Sequence, residues 1–482
     1  MKKLLSILLI TCLLFVSGCK KKPAPGDPGS PQASAFRNPL QIWMSGSKDE
    51  EQFLEAMAKQ FVSLGGKEFQ GLAFKIINFS TDEALQERSI DKMAEGGGPD
   101  IVYTNGEWIF NNSNKLMAIA NDPGLTAEQF NDSFVRAASQ TLTVEKDSTT
   151  MILGVPLSVD TMALYYNSEH ILDRLPDRNI PGKTWEEFQQ DVVNLTKADT
   201  SVERFAVSGT ALGRGDNIHY SYDVVENIMF QQGVQFITYD KSQYTFHNTQ
   251  GKGVLGRQGN LGVDAMNFFT SFSDPRYKHY SWSDLMANQT NPALNFETFV
   301  SGRVSMIFGY HRDKNKIMQA MDFYKSRGGK AIDADMIKTT YFPQPKSTLG
   351  FGSRKLLARV HALGVSKNSK LAKVSWRFLK FLSWKENQES YHNQTGNPTA
   401  MVELLAEHQQ NPDMQVFATQ SKFAVTNIIP HRKSILRRKM AEIITLINQG
   451  KGAAGPLLKS LADELNIELR DRSTMEVQTL RR

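Results

Sequence analysis

The chain has 482 residues, enough for two or more lobes that each hold a core. Charged residues make up 22% and aromatics 10%, which excludes a disordered chain, and a net charge of +6 without a basic, aromatic-laced stripe excludes a nucleic-acid partner. Both cysteines, Cys12 and Cys19, precede Lys20, so the folded part carries neither a disulfide nor a cysteine metal site.

Residues 1–18 read as a signal peptide. Lys2-Lys3 is a basic start, Leu4 to Val16 an apolar run too short for a comfortable membrane span, and Phe15-Val16-Ser17-Gly18-Cys19 resembles a bacterial lipobox. Cys19 is then the lipidation site, discarding Cys12 with the leader. Acyl chains anchor at about 0.8 kcal/mol per buried methylene. Lys20-Lys21-Lys22 add roughly 1 kcal/mol each beside an anionic surface. Residues 19–36, rich in Pro, Gly, Ser and Ala, form a flexible tether.

The first strand is Leu40–Met44. Ser45-Gly46-Ser47 turns it, and Ser47 with Glu50 makes a capping box for a helix over Lys48–Ser63, whose Phe53, Leu54, Met57 and Phe61 share one face. Strand, small-residue turn and helix place the Ser45–Lys48 side chains at a strand's carboxyl end, where open α/β sheets bind ligands. A second strand covers Ala73–Phe79, and a helix Asp82–Met93. Gly96-Gly97-Gly98-Pro99-Asp100 turns into a third strand, Ile101-Val102-Tyr103. Its exit, Thr104-Asn105-Gly106-Glu107-Trp108, combines an amide, an acid and a large aromatic, which favours binding over packing for Trp108. The stretch Gly154–Asn167 opens on Gly-Val-Pro and continues through apolar and β-branched residues. It reads as a strand passing from one lobe to another, with Asp160 at the mouth between them.

These pieces, with Phe299-x-x-Gly302-Arg303-Val304-Ser305-Met306, Gly364-Val365-Ser366-Lys367 and Gly396-Asn397-Pro398-Thr399, follow one another as in a known family. The ordered set resembles the extracellular solute-binding proteins of ABC importers, in the class that includes maltose-binding protein. The resemblance implies an α/β fold of the periplasmic-binding-protein type II kind: two α/β lobes joined by crossing strands, with the ligand cleft between them. It implies lobe one at 37–157 plus 363–396, lobe two at 162–357 plus 400–482, and hinge crossings at 158–161, 358–362 and 397–399. The ligand-binding positions it implies are Ser47 and Lys48, then Thr104, Asn105, Glu107 and Trp108, then Asp160, and Tyr310 with His311 at the exit of the strand Val304–Phe308. Near Pro430 the chain carries Ile435 and Leu436 where the maltose binder offers an aromatic platform, which argues against maltose itself.

Farther along, Thr184 and Glu187 form a second capping box before a helix running toward Leu195. Phe205-Ala206-Val207 reads as a short strand. The polar loop Gly209–Tyr220 is either surface or cleft wall, and Trp282 either cleft aromatic or packing. Gly251-Lys252-Gly253-Val254-Leu255-Gly256 fits G-x-G-x-x-G but lacks the preceding strand and the βαβ context of a nucleotide site. Helices are expected over Val263–Phe272, along Leu371, Val374, Phe378, Phe381 and Leu382 in lobe one, and over Ile435–Ile447 and Ala454–Leu465.

No G-x-S-x-G, H-E-x-x-H or Walker A motif appears, so no catalytic residue, cofactor or metal is assigned. Tyr165-Tyr166 sits in the crossing strand, where neighbours point oppositely, and does not read as an iron site. The expected function is a membrane-tethered, extracytoplasmic, monomeric solute-binding protein. Its partners are a small solute, foremost a sugar or oligosaccharide, and the permease subunits of an ABC importer. The alternatives are a glycan-acting surface lipoprotein, which would need Glu107 and Asp160 facing one bond, and a solute sensor uncoupled from transport.

Overall fold

Gly154–Asn167 is a strand of 14 residues, every one buried. The computed structural model describes residue 36 and residues 38–480, apart from 121, 200–203, 254–255, 257, 287–293, 349–353 and 431–432. The leader, Cys19 and the tether up to residue 35 lie outside the described residues.

Among the described residues, nine strands share one sheet: β1 (Leu40–Met44), β2 (Phe74–Asn78), β3 (Ile101–Asn105), β4 (Gly154–Asn167), β5 (Lys197–Asp199), β6 (Arg204–Thr210), β7 (Val304–Tyr310), β8 (Ile337–Thr340) and β9 (Ala358–Val365). Their order is β2-β1-β3-β9-β4-β7-β6-β5, with β8 also on β4. β4 changes partners midway. Gly154–Thr161 pairs antiparallel with β9, whereas Met162–Tyr166 pairs with β7 and Leu164–Asn167 with β8. Thr399 bridges to Ser158 on the first half. A strand flanked on both sides and covered on both faces has no solvent face, which explains its apolar run.

Its start depends on a close approach. A Cβ on Gly154 would lie 2.2 Å from the Leu363 carbonyl oxygen. Just before Leu363 on β9, the ladder skips Leu157 between the His361–Ser158 and Ala362–Pro156 pairs, and this irregularity falls beside Pro156, which has no N–H to donate.

One core group packs the helix Lys48–Gly65 against the helix Ala372–Leu382: the Phe61 ring meets Phe378 at 5.3 Å and Phe381 at 5.6 Å. Beyond the partner switch, Trp185 takes the central place, 5.3 Å from Phe268 and 5.4 Å from Phe342, with its indole N–H donating to Gln231. Trp282 is also core rather than cleft: it is fully buried and donates to Asn217 at 2.9 Å. The Gly209–Tyr220 loop is largely buried, lining neither the surface nor the cavity described below. The glycine-rich run at 251–256 begins in one arm of a short antiparallel pair, Gln250–Lys252 with Gln258–Asn260.

Replacing Gly154 with alanine is expected to lower the unfolding free energy by about 1–3 kcal/mol through overpacking against the Leu363 carbonyl. Urea unfolding checks this; an unchanged midpoint would contradict the close approach.

Candidate functional site

The third strand ends at Asn105, whose side-chain oxygen accepts from the Trp108 backbone N–H at 2.9 Å and so caps the helix Gly106–Asn111. The strand's exit is therefore a helix start. It lies close against β9: a Cβ on Gly106 would sit 2.7 Å from Thr141 and 3.1 Å from Val360. Glu107, Trp108 and Asn111 consequently face a cavity of about 750 Å³.

β9 supplies the floor through Arg359, Val360 and His361. Arg359 and His361 share a strand face by their spacing of two, and His361 pairs in register with Asn105. Asp82 and Gln86, one turn apart on the helix Asp82–Ala94, complete the near wall. The far wall comes from the helix Lys433–Asn448 through Lys433, Ser434 and Arg437, from Lys241, and from Leu469 and Arg470. The last two reach the cavity because the final helix runs Ala454–Leu480 instead of stopping near Leu465. Pro430 lines the same wall, with Lys433 and Ser434 rather than an aromatic beside it.

The walls touch across the cavity. Lys433 Nζ lies 2.8 Å from Glu107 and 3.3 Å from Glu226. Asn111 donates to the Ile429 carbonyl at 2.7 Å, and the Lys241 ammonium stands 4.5 Å from the Phe110 ring centroid. Burial raises the Glu226 carboxyl, with Lys433 opposing. For Asp223, burial acts in the raising direction, but Arg359 and then Arg437 outweigh it and hold the carboxyl well below its usual range.

The remaining expected site residues stand elsewhere. Ser47 caps the helix Lys48–Gly65, and Lys48 is exposed, pairing with Glu51. Thr104 is buried behind the wall and accepts from Gln86 at 3.2 Å. Asp160 does not reach the cavity. It is 1% exposed, and its two oxygens accept the backbone N–H of His311 at 3.0 Å and of Arg312 at 3.2 Å, fixing the turn after β7. It is therefore not a second carboxylate opposite Glu107. Tyr310 is buried, donates to Asp223 at 3.1 Å and carries the Arg359 guanidinium 3.8 Å above its ring. His311 packs its ring edge-on to Phe417, and burial pushes its imidazole down to about 3. Trp108 does line the cavity, yet it is only 5% exposed, so it is as much core as rim; its indole N–H has no partner among the described residues.

Arg359, His361, Lys433 and Arg437 were not singled out from sequence. A signal existed: Arg359 and His361 interrupt an apolar run at alternate positions, and Lys433 and Arg437 stand at i and i+4.

Beneath the floor, Arg312 pairs with buried Glu50 at 3.0 Å and donates to Ser158 at 2.8 Å and Tyr391 at 3.2 Å. Glu50 also accepts from Tyr391 at 2.8 Å and from Tyr103. Burial raises the Glu50 carboxyl, but Arg312 leads the opposing effects and the result is about 2. Among the described residues, no group of His, Cys, Asp or Glu has the arrangement of a metal site.

The profile described as bacterial extracellular solute-binding protein matches residues 56–416. No curated protein matches the chain. Among solved structures, the cyclic α-maltosyl-1,6-maltose binding protein from Arthrobacter globiformis is similar at 13% identity, covering 90% of this chain and 99% of that one, with a TM-score of 0.66. A solute-binding protein of Thermotoga lettingae bound with α-D-tagatose shares 17% identity, with 89% and 99% coverage and a TM-score of 0.60. The Thermus thermophilus maltotriose binding protein shares 16%, with 89% and 100% coverage and a TM-score of 0.59. At these identities the likeness establishes the two-lobed fold.

The Asp160 carboxyl is raised by burial from 3.8 to about 6, although Arg312 opposes the shift. The native form thus holds this proton more tightly than the unfolded chain. Its contribution to stability is present below the unfolded value and is lost as pH rises through about 6. The stability of the wild type minus that of Asp160→Asn is expected to fall between about pH 4 and pH 6, by at most roughly 1.4 kcal/mol per pH unit. Urea unfolding at constant ionic strength checks it; a difference that rises with pH would contradict this.

Proposed function

The chain belongs to the bacterial extracellular solute-binding proteins, and from that premise we propose that it captures a sugar or oligosaccharide in the interlobe cavity and delivers it to an ABC importer. The observation that carries this reading is a cavity walled by Asp82, Glu107 and Trp108 on one side and by Lys433 and Arg437 on the other, floored by a crossing strand. Carboxylates, amides and cations take sugar hydroxyls, and Trp108 supplies an apolar face. The family binds solutes and does not transform them, which agrees with the burial of Asp160 away from Glu107.

The hinge in this reading lies at 158–161, 358–362 and 397–399, with lobe one at 37–157 plus 363–396 and lobe two at 162–357 plus 400–482. The change of partners after Thr161 and the Ser158–Thr399 bridge support that division. Micromolar capture needs about 8 kcal/mol net. Contacts made by both walls at once give the solute a higher affinity for the closed form, so binding and closure are one event. The closed form is what permease subunits recognise, and the protein acts as a monomer. Attachment to the membrane is through lipid on Cys19; among the described residues no helix is long and apolar enough to cross a membrane.

The soluble form Phe36–Arg482 is expected to gain about 2.7 kcal/mol of stability from its sugar at one hundred times the dissociation constant. A thermal-shift screen of mono- and oligosaccharides against polyamines tests this, and stabilisation by polyamines alone would overturn it. Trp108→Phe keeps an aromatic ring but shrinks the apolar face and leaves a small void. It is expected to weaken sugar binding by about 0.5–1.5 kcal/mol, as read by calorimetric titration, and to lower the unfolding free energy by about 1–2 kcal/mol without unfolding the protein. Cys19→Ser is expected to release the protein from membranes or leave it unprocessed; retention of a mature, lipid-labelled protein would exclude Cys19 as the anchor.

A further inference from the structure

The charges around the cavity do not balance locally. Asp223 is 2% exposed and receives two guanidinium groups: Arg359 Nη2 at 2.6 Å, and Arg437 through Nε at 3.0 Å and Nη2 at 3.2 Å. Two cations on one carboxylate leave one positive charge over. The neighbouring Lys433 shows the opposite local excess, one cation approached by both Glu107 and Glu226. Arg359 and Arg437 both line the cavity, their side chains 26% and 33% exposed. A guanidinium has five N–H donors. Among the described residues, no hydrogen bond occupies Nε or Nη1 of Arg359, or Nη1 of Arg437. Arg359 is also held in place, its guanidinium 3.8 Å from the Tyr310 ring centroid and 5.2 Å from that of Tyr220. The fork is fixed before any solute arrives.

We propose that the solute is an acidic sugar, and that Arg359 and Arg437 together bind its anionic oxygens. The inference rests on the sugar reading and narrows it. A neutral sugar can accept hydrogen bonds from both arginines. A carboxylate or phosphate, however, takes charge-assisted, bidentate bonds from the planar fork, which are about twice as strong as those a neutral hydroxyl accepts. Across the cavity, burial and the neighbouring Glu83 push the Asp82 carboxyl up, against the pull of Arg312 and Arg359. That wall, with Gln86 and Asn105, is suited to hydroxyls. A sugar acid presents both kinds of group.

Calorimetric titration of the soluble form with matched ligands decides it: glucose against glucuronate and glucose 6-phosphate, and galactose against galacturonate, with succinate as an anion that is not a sugar. The acidic member of a pair is expected to bind about 10- to 100-fold more tightly than the neutral one, with the preference shrinking as salt rises. The two glucose derivatives distinguish a carboxylate from a phosphate. Arg437→Gln is expected to narrow the gap, and Asp223→Asn to widen it, with melting curves as the control for folding. The wild-type comparison stands even where a variant does not fold. Equal or tighter binding of the neutral sugars would overturn the proposal while leaving the sugar reading intact. Binding of succinate with no sugar bound would overturn both, and binding of none of these ligands would overturn the acidic-sugar proposal.

Discussion

The structure depends on what surrounds Arg312. Its guanidinium meets Glu50 from the first turn of the helix Lys48–Gly65, Ser158 from β4 and Tyr391, while its backbone N–H binds Asp160. Asn397 donates to the Tyr391 hydroxyl at 2.9 Å. One side chain thus ties together the first helix, β4 and the helix Lys385–Thr395. Burying these charges is unfavourable on its own, and the net gain of a buried ion pair is small. The value of such a network lies in specificity: removal of one member strands the others, at about 3–5 kcal/mol for a broken buried pair. An acid in the middle of β4 and another under the first strand's turn are tolerated because each has partners from another segment.

The cavity stands on that junction. β9 is flanked by β3 on one side and by the first half of β4 on the other, so its backbone is fixed where Arg359 and His361 emerge. Burial, then Arg312, push the His361 imidazole well below its usual range, so it enters the cavity floor as a neutral group. Arg359 rests on Tyr310, whose position depends on the turn that Asp160 holds. Residues that touch the cavity are therefore positioned by residues that do not.

This layering explains what could be read from the sequence. The crossing strand was legible because fourteen consecutive buried positions leave an unbroken apolar run, opened by a glycine and a proline. Asn105, Glu107 and Trp108, which line the cavity, drew attention because an amide, an acid and a large aromatic follow one another at a strand's carboxyl end. Asp160, Tyr310 and His311 share the right chain positions, but an acid that binds solute and an acid that caps a turn look alike in one dimension. Asp160 became a support only when the turn after β7 folded back on it. Arg359 and Arg437 meet at Asp223 across sequence gaps that no local pattern reports, although each pair of spacings, 359 with 361 and 433 with 437, was visible. The Cβ-free approach at Gly154 depends on β9, and so could not be derived from the run itself.

The central claim is that one solute is gripped by both lobes at once. It is tested by the distance between spin labels on Arg88→Cys, in the exposed face of the helix Asp82–Ala94, and Glu442→Cys, in the exposed face of the helix Lys433–Asn448. The soluble form lacks Cys12 and Cys19, so labelling is confined to the two sites. Pulsed dipolar spectroscopy across a titration with the stabilising sugar is expected to show a shift of the distance distribution toward the shorter, closed population, saturating with the same dissociation constant as calorimetry. A distribution that stays fixed while calorimetry reports binding would show that the solute sits on one lobe alone, and would contradict the account.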